Sequence, residues 1–537
     1  MRTELAATMV SLVFLMHFTT INNPYAQPSW LFSLLSVALA VAAVTLPFVV
    51  TARHARRNGA TAAAIPGPRG WPFLGSLLAV SGPLAHRRLA ALADAHGARR
   101  LMSLAVGATH VVVSSHPDTA REILSGAAFA DRPPKAAARE LMFCRAIGFA
   151  PPGEYWRRLR RVAGAGMLSP RRLAALEGLR RRVAGRMVEA VRGGMERSGE
   201  VAMRAVLQRA SLESMAGSVL GMEGGAVGDE LGEMVREGYE LVGTFNLGDH
   251  YYTSLWGPLL DLWGVGPRCR GLAARVRGYF GKVIEERRVA GDFHRRDDLL
   301  SYMLALPKEE RLEDSDVIAV LWEMIFRGVD VVAILLEWTM ARIALHPEIQ
   351  SKVHRELDAV VGSRPLADSD IPNLPFLRCV VKETLRMHPP GPLLSWARLA
   401  VRDAQVGKHI VPAGTTAMVN MWAISHDEAI WGDPWVFRPE RFMEEDISVL
   451  GSDLRLAPFG AGRRICPGRM IGLSTAYLWL GRLLQEYEWS PAQPVKLAER
   501  LRLSMEMKKP LVCRAVYRGE NGTNPEKLDE KFDGATS

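Results

Sequence analysis

A loop rich in glycine and arginine near the C-terminal end places a cysteine in a setting suited to chemistry. The loop covers residues 458–469 and reads PFGAGRRICPGR. A cysteine can act as a thiolate ligand when a metal and backbone N–H groups stabilise its charge. Glycine permits close approach to a flat cofactor, and an arginine two residues before the cysteine can pair with an acidic group on it. Cys466 and Arg464 are therefore the first candidates for a functional site, against the alternative of an inert cysteine buried in a turn.

Glutamate, arginine and tryptophan recur at helical spacing elsewhere in the chain. Glu383 and Arg386 are three residues apart, which puts opposite charges on one face of a predicted helix. Arg441 follows in the segment FRPERF, and Trp156 and Arg160 belong to a segment rich in arginine. Taken alone, each of these is as well explained by a solvated helix, since exposed ion pairs add little stability.

The cysteine loop meets the pattern Phe-x-x-Gly-x-Arg-x-Cys-x-Gly and resembles the haem-binding loop of cytochromes P450. The resemblance implies that Cys466 is the axial thiolate of the iron of haem b. It also implies that Phe459 packs by the sulfur and that Arg464 binds a haem propionate. Gly462 and Gly468 are the glycines of the pattern, and we assign them to the cofactor site as well.

Two further segments resemble elements of the same family. Glu383 and Arg386 match its ExxR element, and Arg441 matches its PERF element. The resemblance implies that these three side chains form a buried charge network behind the haem loop, with a structural role. Trp156 and Arg160 resemble the WxxxR helix of the family, which implies that both reach a haem propionate.

The resemblance runs in family order along nearly the whole chain, from about residue 66 to residue 518. Arg398 lies where many plant members carry an arginine that binds a propionate. The segments 129–133 and 420–424 are similar to the plant microsomal branch. The segment 326–338 is most similar to a plant subfamily linked to organ size and leaf-initiation timing, whose members have been associated with fatty-acid-type hydroxylation.

The strongest helix prediction begins at Asp314 or Ser315 and ends at Leu345, just before a proline. Its apolar centre resembles the oxygen-binding motif of the family, Ala/Gly-Gly-x-Asp-Thr. Gly328 and Asp330 are kept, and Val331 stands where the family has threonine. Because valine cannot hydrogen-bond to dioxygen, we expect proton delivery to run through Asp330, waters or a substrate hydroxyl.

Most of residues 73–360 has the pattern of amphipathic helices, and strand signals are few, at 109–113, 408–411 and 511–513. We therefore expect a mainly α-helical fold with small β-sheets. The resemblance identifies it as the cytochrome P450 fold, preceded by an N-terminal transmembrane helix. The predicted parts are a membrane anchor (1–57), a proline-rich hinge (58–72), a haem-binding catalytic domain (73–518) and a disordered tail (519–537).

The predicted anchor contains an uncharged apolar segment at residues 31–50. At ~1.5 Å per residue, such a segment reaches ~30 Å and can cross a bilayer core. Arginines follow at 53, 56 and 57, so the positive-inside rule places the rest of the chain in the cytosol. A shorter apolar run at 5–18 is either a second span or an interfacial segment. A cleaved signal or a buried core helix is the competing interpretation of the main span.

The net charge and the cysteine content limit the kinds of partner and of cellular compartment that suit this chain. Lys plus Arg number 67 against 57 for Asp plus Glu, a formal net charge of +10. This balance favours anionic lipid or an acidic protein, and the chain has no zinc-finger or RNA-binding signature, so we expect no nucleic-acid partner. The five cysteines lie far apart without a CxxC motif, which favours a reducing compartment over a disulfide framework.

The leading hypothesis is a haem-thiolate monooxygenase held in the endoplasmic reticulum membrane with its catalytic domain in the cytosol. NADPH-cytochrome P450 reductase would deliver electrons from NADPH. The substrate would be a small apolar molecule, either fatty-acid-like or a signalling metabolite in the control of plant growth and organ size. Two alternatives stay open: a haem-thiolate isomerase or dehydratase that needs neither dioxygen nor reductase, and a non-catalytic haem sensor.

Overall fold

The structure is a computed structural model that describes residues 64–71, 74–251, 261–394 and 397–519. The predicted anchor at 1–57, with its segments 5–18 and 31–50, lies outside these residues, as do residues 58–63 and 72 of the hinge and nearly all of the tail. Within the part of the chain that is described, no helix is both long and apolar enough to cross a membrane. The chain divides into two units, Met1–Ile65 and Pro66–Ser537, and every described helix and strand belongs to the second.

Eighteen α-helices make up most of the described fold, which is mainly helical as the sequence predicts. The first nine are α1 (Leu77–Val80), α2 (Ala85–Ala95), α3 (Pro117–Ser125), α4 (Ala136–Leu141), α5 (Glu154–Ala163), α6 (Pro170–Ala175), α7 (Glu177–Ser198), α8 (Met203–Leu220) and α9 (Asp229–Gly243). The other nine are α10 (Val265–Ala290), α11 (Leu299–Leu304), α12 (Asp314–Leu345), α13 (Pro347–Val360), α14 (Pro375–Met387), α15 (Met421–Ser425), α16 (Glu428–Trp431), α17 (Arg441–Glu444) and α18 (Arg469–Glu486).

The described strands are short and form four small sheets. They are β1 (Met102–Val106), β2 (Thr109–Ser114), β3 (Val201–Ala202), β4 (Arg398–Leu399), β5 (Ala404–Val406), β6 (His409–Val411), β7 (Thr416–Val419), β8 (Tyr487–Pro491), β9 (Glu499–Leu501), β10 (Met505–Met507) and β11 (Val512–Tyr517). The largest sheet has the order β1-β2-β7-β4, in which β2 and β7 are parallel and the other pairs antiparallel. The others are β3-β11-β8, β9-β10 and β5-β6. Strands therefore occur at all three predicted places.

Helix α12 is the central element, and its predicted bounds are confirmed. It spans 32 residues, so at ~1.5 Å per residue it is ~48 Å long. Pro347 opens the next helix, because proline is tolerated in a first turn and not in a helix interior. Helices α8, α10, α14 and α18 all pack against α12, and its large side chains Trp322, Phe326 and Trp338 are fully buried. A helix surrounded in this way can present a fixed wall to a buried site.

Candidate active site

A cavity of about 270 Å³ lies between α12, the cysteine loop and the beginning of α18. Side chains from α5, α8 and the segment after α14 complete its wall. Eight of the residues predicted from the sequence line it: Arg160, Gly328, Val331, Arg398, Phe459, Arg464, Cys466 and Gly468. The cavity thus brings together residues that are scattered over more than half of the chain.

Two glycines with positive φ shape the cysteine loop. Gly460 has φ of 70° and Gly462 has φ of 67°, a region that favours glycine. A Cβ atom on Gly462 would also overlap the carbonyl oxygen of Leu124, so this glycine shapes the loop. Although it was assigned to the cofactor site, Gly462 is not among the described lining residues. The backbone N–H of Cys466 donates to the carbonyl of Phe459 at 3.0 Å. This bond closes the loop and holds the cysteine at the cavity wall.

The Arg464 guanidinium bonds to three backbone carbonyls in the part of the chain that precedes α5. Its Nε donates to the carbonyl of Ala130 at 2.9 Å, and its Nη atoms donate to the carbonyls of Ile147 and Ala150 at 3.1 and 2.6 Å. The carbon of the guanidinium lies 4.6 Å from the ring centre of Trp156. Arg464 therefore ties the cysteine loop to the segment that precedes α5.

Trp156 and Arg160, one turn apart on α5, have different positions. Arg160 lines the cavity and donates from Nη1 to the carbonyl of Ile465 at 3.0 Å. Trp156 is not among the described lining residues, and its indole N–H donates to the carbonyl of Ile147 at 3.0 Å. The ring of Trp156 supports the guanidinium of Arg160 at 5.3 Å. Its position is that of a support for the arginines.

The donor set of this cavity fits a flat group that carries acidic substituents. Arg160, Arg398 and Arg464 form no ion pair with any carboxylate in the described chain. Burial lowers the pKa of Arg398 and of Arg464 to about 10, and the charge of Arg464 adds to the shift at Arg398. A Cβ atom on Gly468 would touch only the side chain of Ile471, at 3.7 Å, so the surface beside Cys466 is open. Haem b, with two propionates on a planar ring, matches both features.

Burial raises the pKa of the Cys466 thiol, and a backbone N–H bond from Gly468 and the charges of nearby arginines oppose this shift. The other cysteines of the chain are Cys144, Cys269, Cys379 and Cys513, and none of them lines the cavity. Cys466 is therefore the described cysteine that a bound cofactor in this cavity would meet.

Glu323 on α12 fastens the segment before α5 to the central helix. Its two carboxylate oxygens accept the backbone N–H groups of Ile147 and Gly148 at 2.5 and 2.7 Å. Burial raises the pKa of Glu323, while these bonds and the charge of Arg327 act in the opposite direction. The carbonyl of Ile147 accepts from Arg464 at the same time. One peptide segment thus connects α12 to the cysteine loop.

The face of α12 that lines the cavity differs from the one that carries Asp330. Gly328 and Val331 are on the wall, and a Cβ atom on Gly328 would come within 2.5 Å of the Met215 side chain. Asp330 is not among the described lining residues, and its Oδ1 accepts from the Gln208 amide at 3.3 Å. Burial raises the pKa of Asp330 to about 6.

Glu383, Arg386 and Arg441 are joined in one buried group. Arg386 donates to both carboxylate oxygens of Glu383, at 2.7 and 2.8 Å, and Arg441 donates to one of them at 3.2 Å. The remaining guanidinium N–H groups of Arg386 reach backbone carbonyls at Ser425 and Pro434. Because the carboxylate and both guanidinium groups have hydrogen-bond partners, these charges can be tolerated in the fully buried interior.

The charged lining residues that were not predicted as site residues are Arg132, Glu323 and Arg327. The sequence contains a spacing pattern that could have identified two of them, Glu323 and Arg327. Glu323, Arg327 and Val331 are spaced by four residues, so they share one face of the helix. Arg132 lies in an irregular segment, where sequence periodicity carries no such information.

A cavity lined by a cysteine loop and a long central helix, inside a mainly helical fold, is the arrangement typical of haem-thiolate proteins. The cytochrome P450 family matches residues 65–514, and the chain belongs to this family. It is 50% identical to Cytochrome P450 78A5 of Arabidopsis thaliana over 84% of this chain and 89% of that protein. It is 47% identical to Cytochrome P450 78A11 of Oryza sativa subsp. japonica over 92% and 94%, and 33% identical to Flavonoid 3'-monooxygenase of Arabidopsis thaliana over 83% and 90%.

Family membership establishes the fold and the class of activity. The fold is that of cytochromes P450, mainly helical with small sheets, as predicted. The family implies a haem iron with a thiolate ligand, and the relatives are named cytochrome P450 or monooxygenase, consistent with an oxygenase enzyme. The similarity to the 78A members agrees with the resemblance to a plant subfamily noted in the sequence.

Proposed function

We propose that the chain is a membrane-bound monooxygenase that inserts one oxygen atom into a small apolar substrate. The observation that carries this proposal is the shared cavity of Cys466 and α12. Cys466 would hold the cofactor in this cavity, and the apolar side chains of α12 on the same wall would contact a substrate bound there. Met324, Val332 and Leu335 from α12 lie on this wall. They suit a fatty-acid-like or other lipid-soluble molecule.

The residues that would hold haem b are those predicted from the sequence. Cys466 would be the axial ligand, Phe459 would pack by its sulfur, and Arg160, Arg398 and Arg464 would bind the propionates. When bound, the haem supplies dioxygen activation, because a thiolate ligand pushes electron density to the iron and favours O–O cleavage. The apolar wall of α12 would exclude bulk water from this chemistry.

The proposed electron donor is NADPH-cytochrome P450 reductase, with NADPH as the source. Helix α5 supports this partner, because it carries Arg160 on the cavity wall and exposed Arg157 and Arg161 on its outer side. Charges exposed in this way attract an acidic surface and speed association at low salt. Arg158 is half-buried and donates to the carbonyl of Arg311, so it is less available.

The proposed location is the endoplasmic reticulum membrane with the catalytic domain, residues 73–518, in the cytosol. The support is the apolar segment 31–50 and the arginines after it, which the sequence predicts to be a membrane anchor with a cytosolic flank. A substrate dissolved in the bilayer would then be close to the enzyme. The proposed role in plant growth and organ size rests on the similarity to the 78A members alone.

The test of the proposal is the absorption of the reduced, CO-bound protein, which reports a thiolate on the iron. Cys466→Ala should lose the thiolate signature, and Cys144→Ala, at an exposed cysteine outside the cavity, should keep it. The wild-type protein should form an oxygenated product only with reductase, NADPH and dioxygen present, with one atom from labelled dioxygen. An unchanged spectrum in Cys466→Ala would refute the site. Turnover of a peroxide substrate without NADPH would favour the isomerase or dehydratase alternative.

A further inference from the structure

An arginine without an acidic partner begins the helix that follows the cysteine loop. Arg469 is the first residue of α18, and Gly468 precedes it as the N-cap. Among the residues that the structure describes, no carboxylate forms an ion pair with Arg469. A positive charge is unfavourable in the first turn of a helix, because the helix dipole is positive there, and this turn contains no acidic residue that would offset it. The reason for an arginine at this position must therefore lie outside the helix.

The side chain of Arg469 turns back toward the cysteine. Its Nη1 donates to the backbone carbonyl of Cys466 at 3.2 Å. Its Nε is buried and has no hydrogen-bond partner in the part of the chain that is described. The residue as a whole is half-buried, so that water screens its charge only in part. The guanidinium is thus held beside the cysteine through a contact with the backbone of Cys466 itself.

The other arginines around the cysteine loop have different contacts. Arg160 donates to the carbonyl of Ile465, and Arg464 bonds to the chain that precedes α5. Both of these arginines line the cavity, whereas Arg469 is not among its described lining residues. Arg469 therefore differs from the arginines that are predicted to bind the haem propionates, and its contact is with the residue that is predicted to bind the iron.

We propose that Arg469 raises the reduction potential of the bound haem by placing a positive charge next to its cysteine ligand. This proposal rests on the proposed function and deepens it, since it names a residue that sets how readily the reductase can deliver an electron.

The physical reason is the charge that reduction adds. One electron passes from the reductase to the ferric iron, and no bond forms or breaks in this step. A nearby positive charge stabilises the reduced form more than the oxidised form. The hydrogen bond to the Cys466 carbonyl acts in the same direction, because it withdraws electron density from the ligand residue. Arg469 acts on the iron through Cys466 and is therefore a positioning residue.

The test is a spectroelectrochemical titration of the full-length, substrate-free protein with haem bound. Arg469→Gln should lower the equilibrium constant for one-electron reduction about three- to tenfold, a shift of up to about 59 mV toward more negative potential. Arg469→Lys keeps the charge and should keep most of the potential. Arg463→Gln is the matched control: Arg463 is exposed and precedes Cys466 by as many residues as Arg469 follows it, so its loss should leave the potential unchanged.

A second readout reports on the cysteine ligand directly. The stretching frequency of CO bound to the reduced iron should fall in Arg469→Gln, because a thiolate without a neighbouring positive charge donates more electron density to the iron. The same frequency should stay at the wild-type value in Arg463→Gln. A purely structural role of Arg469 in the first turn of α18 would not produce this difference between the two variants.

Four outcomes would overturn the proposal. An unchanged potential in Arg469→Gln would refute it directly. Equal shifts in Arg469→Gln and Arg463→Gln would show that the charge of the surface, and not the contact with Cys466, sets the potential. Slower reduction by the reductase at an unchanged potential would make Arg469 a docking residue. Loss of haem from Arg469→Gln would assign the arginine to retention of the cofactor. In each case an intact thiolate spectrum of the wild type would leave the proposed function standing.

Discussion

Val331 lies on the cavity wall at the position where the family motif has threonine. A valine leaves this part of the wall without a hydroxyl that could hold a water or bond to dioxygen. The nearest carboxylate of the motif, Asp330, is directed at Gln208 on α8. Proton supply at this wall would therefore depend on water, on a polar group of the substrate, or on a rearrangement that brings Asp330 into play.

Val331→Thr should improve the coupling of NADPH consumption to product formation. Valine and threonine have nearly the same volume, and a hydroxyl on a helix can donate to a carbonyl four residues back. Thr339, further along α12, does this with Leu335 at 2.8 Å. The measurement is product formed per NADPH consumed, with hydrogen peroxide counted separately. Val329→Thr, at a buried position off the described cavity wall, is the control, and equal peroxide release in both variants would contradict the expectation.

Deprotonation of Asp330 should lower the free energy of unfolding as the pH rises. Its pKa is raised to about 6 by burial, with the charge of Glu506 adding to the shift and Gln208 and Arg204 opposing it; Tyr239 also lies nearby. Because the folded protein binds this proton more tightly than the unfolded chain, the stabilisation is present below pH ~4 and is lost through pH ~6.

Asp330→Asn should remove this dependence, because an amide does not titrate and can still accept from Gln208. At pH 7.5 the variant should be more stable than the wild type by about 1–3 kcal/mol, and at pH 4 the difference should vanish. Urea unfolding at a series of pH values measures it. A constant difference between pH 4 and pH 7.5 would show that Asp330 does not titrate in this range. Turnover of the same variant tests the predicted relay: full activity would exclude it.

Sequence patterns together with the family resemblance predicted eight of the lining residues, including some that lie far apart in the chain. The cysteine loop is one contiguous motif, so its type and spacing were sufficient, and the structure puts Phe459, Arg464 and Cys466 on one wall. The orientation of Asp330 and the place of Arg132 were beyond such reasoning. They depend on the rotation of α12 and on the path of an irregular segment, and both are set by packing between elements distant in sequence.

Helix α14 shows how a single element can carry a buried ion pair. Glu383 and Arg386 have no solvent exposure, and the carboxylate also accepts from Arg441 and from the backbone N–H of Arg438. The bounds of α12 were predicted from caps and a proline, but the burial of this pair was given only by the family resemblance. Spacing of three residues is equally common on exposed helices, where no such network forms.

Glu383→Ala should destabilise the protein strongly, by about 3–5 kcal/mol, because two guanidinium groups would stay buried without their carboxylate. The midpoint of urea unfolding and the fraction of protein that retains haem are the readouts. Glu286→Ala removes one partner of an exposed pair with Lys282 and should cost less than about 1 kcal/mol. If both variants unfolded at the same urea concentration, the buried group would have no special role in stability.

The whole molecule has a formal net charge of +10, and its arginines differ in whether they form an ion pair. On α5 to α7 several arginines have local partners: Arg172 pairs with Asp297, Arg180 with Asp368, and Arg182 with Glu223. Arg157 and Arg161 have no ion pair within the described chain. Pairing therefore removes part of the positive charge of this surface. Arg157 and Arg161 lie on a helix that reaches the cavity, whereas Arg171 and Arg181, which are also exposed and have no ion pair in the described chain, lie on α6 and α7.

Replacing Arg157 and Arg161 together by glutamate should slow reduction of the haem by the reductase about tenfold or more at low salt. The reason is repulsion of an acidic docking surface, so the difference should shrink as salt is added. Stopped-flow reduction under CO measures it, with haem content as the check on folding. Arg270→Glu reverses one charge on α10 and serves as control. Equal rates for the two variants and the wild type would exclude α5 as the docking helix.

The parallel pairing of β2 with β7 joins Val111 to Thr416, so the largest sheet cannot close until the chain has been made as far as β7. The cavity has the same property, since Arg160 comes early and Cys466 late. At ~5–20 residues per second, a ribosome takes roughly 15–60 s to make the ~300 residues between them. During that interval α5, which carries Arg160, has left the ribosome, whereas Cys466 has not yet been made. Haem binding in the cell would accordingly be a late event of biosynthesis. A shortage of haem would affect chains whose N-terminal half was made well before the cysteine ligand.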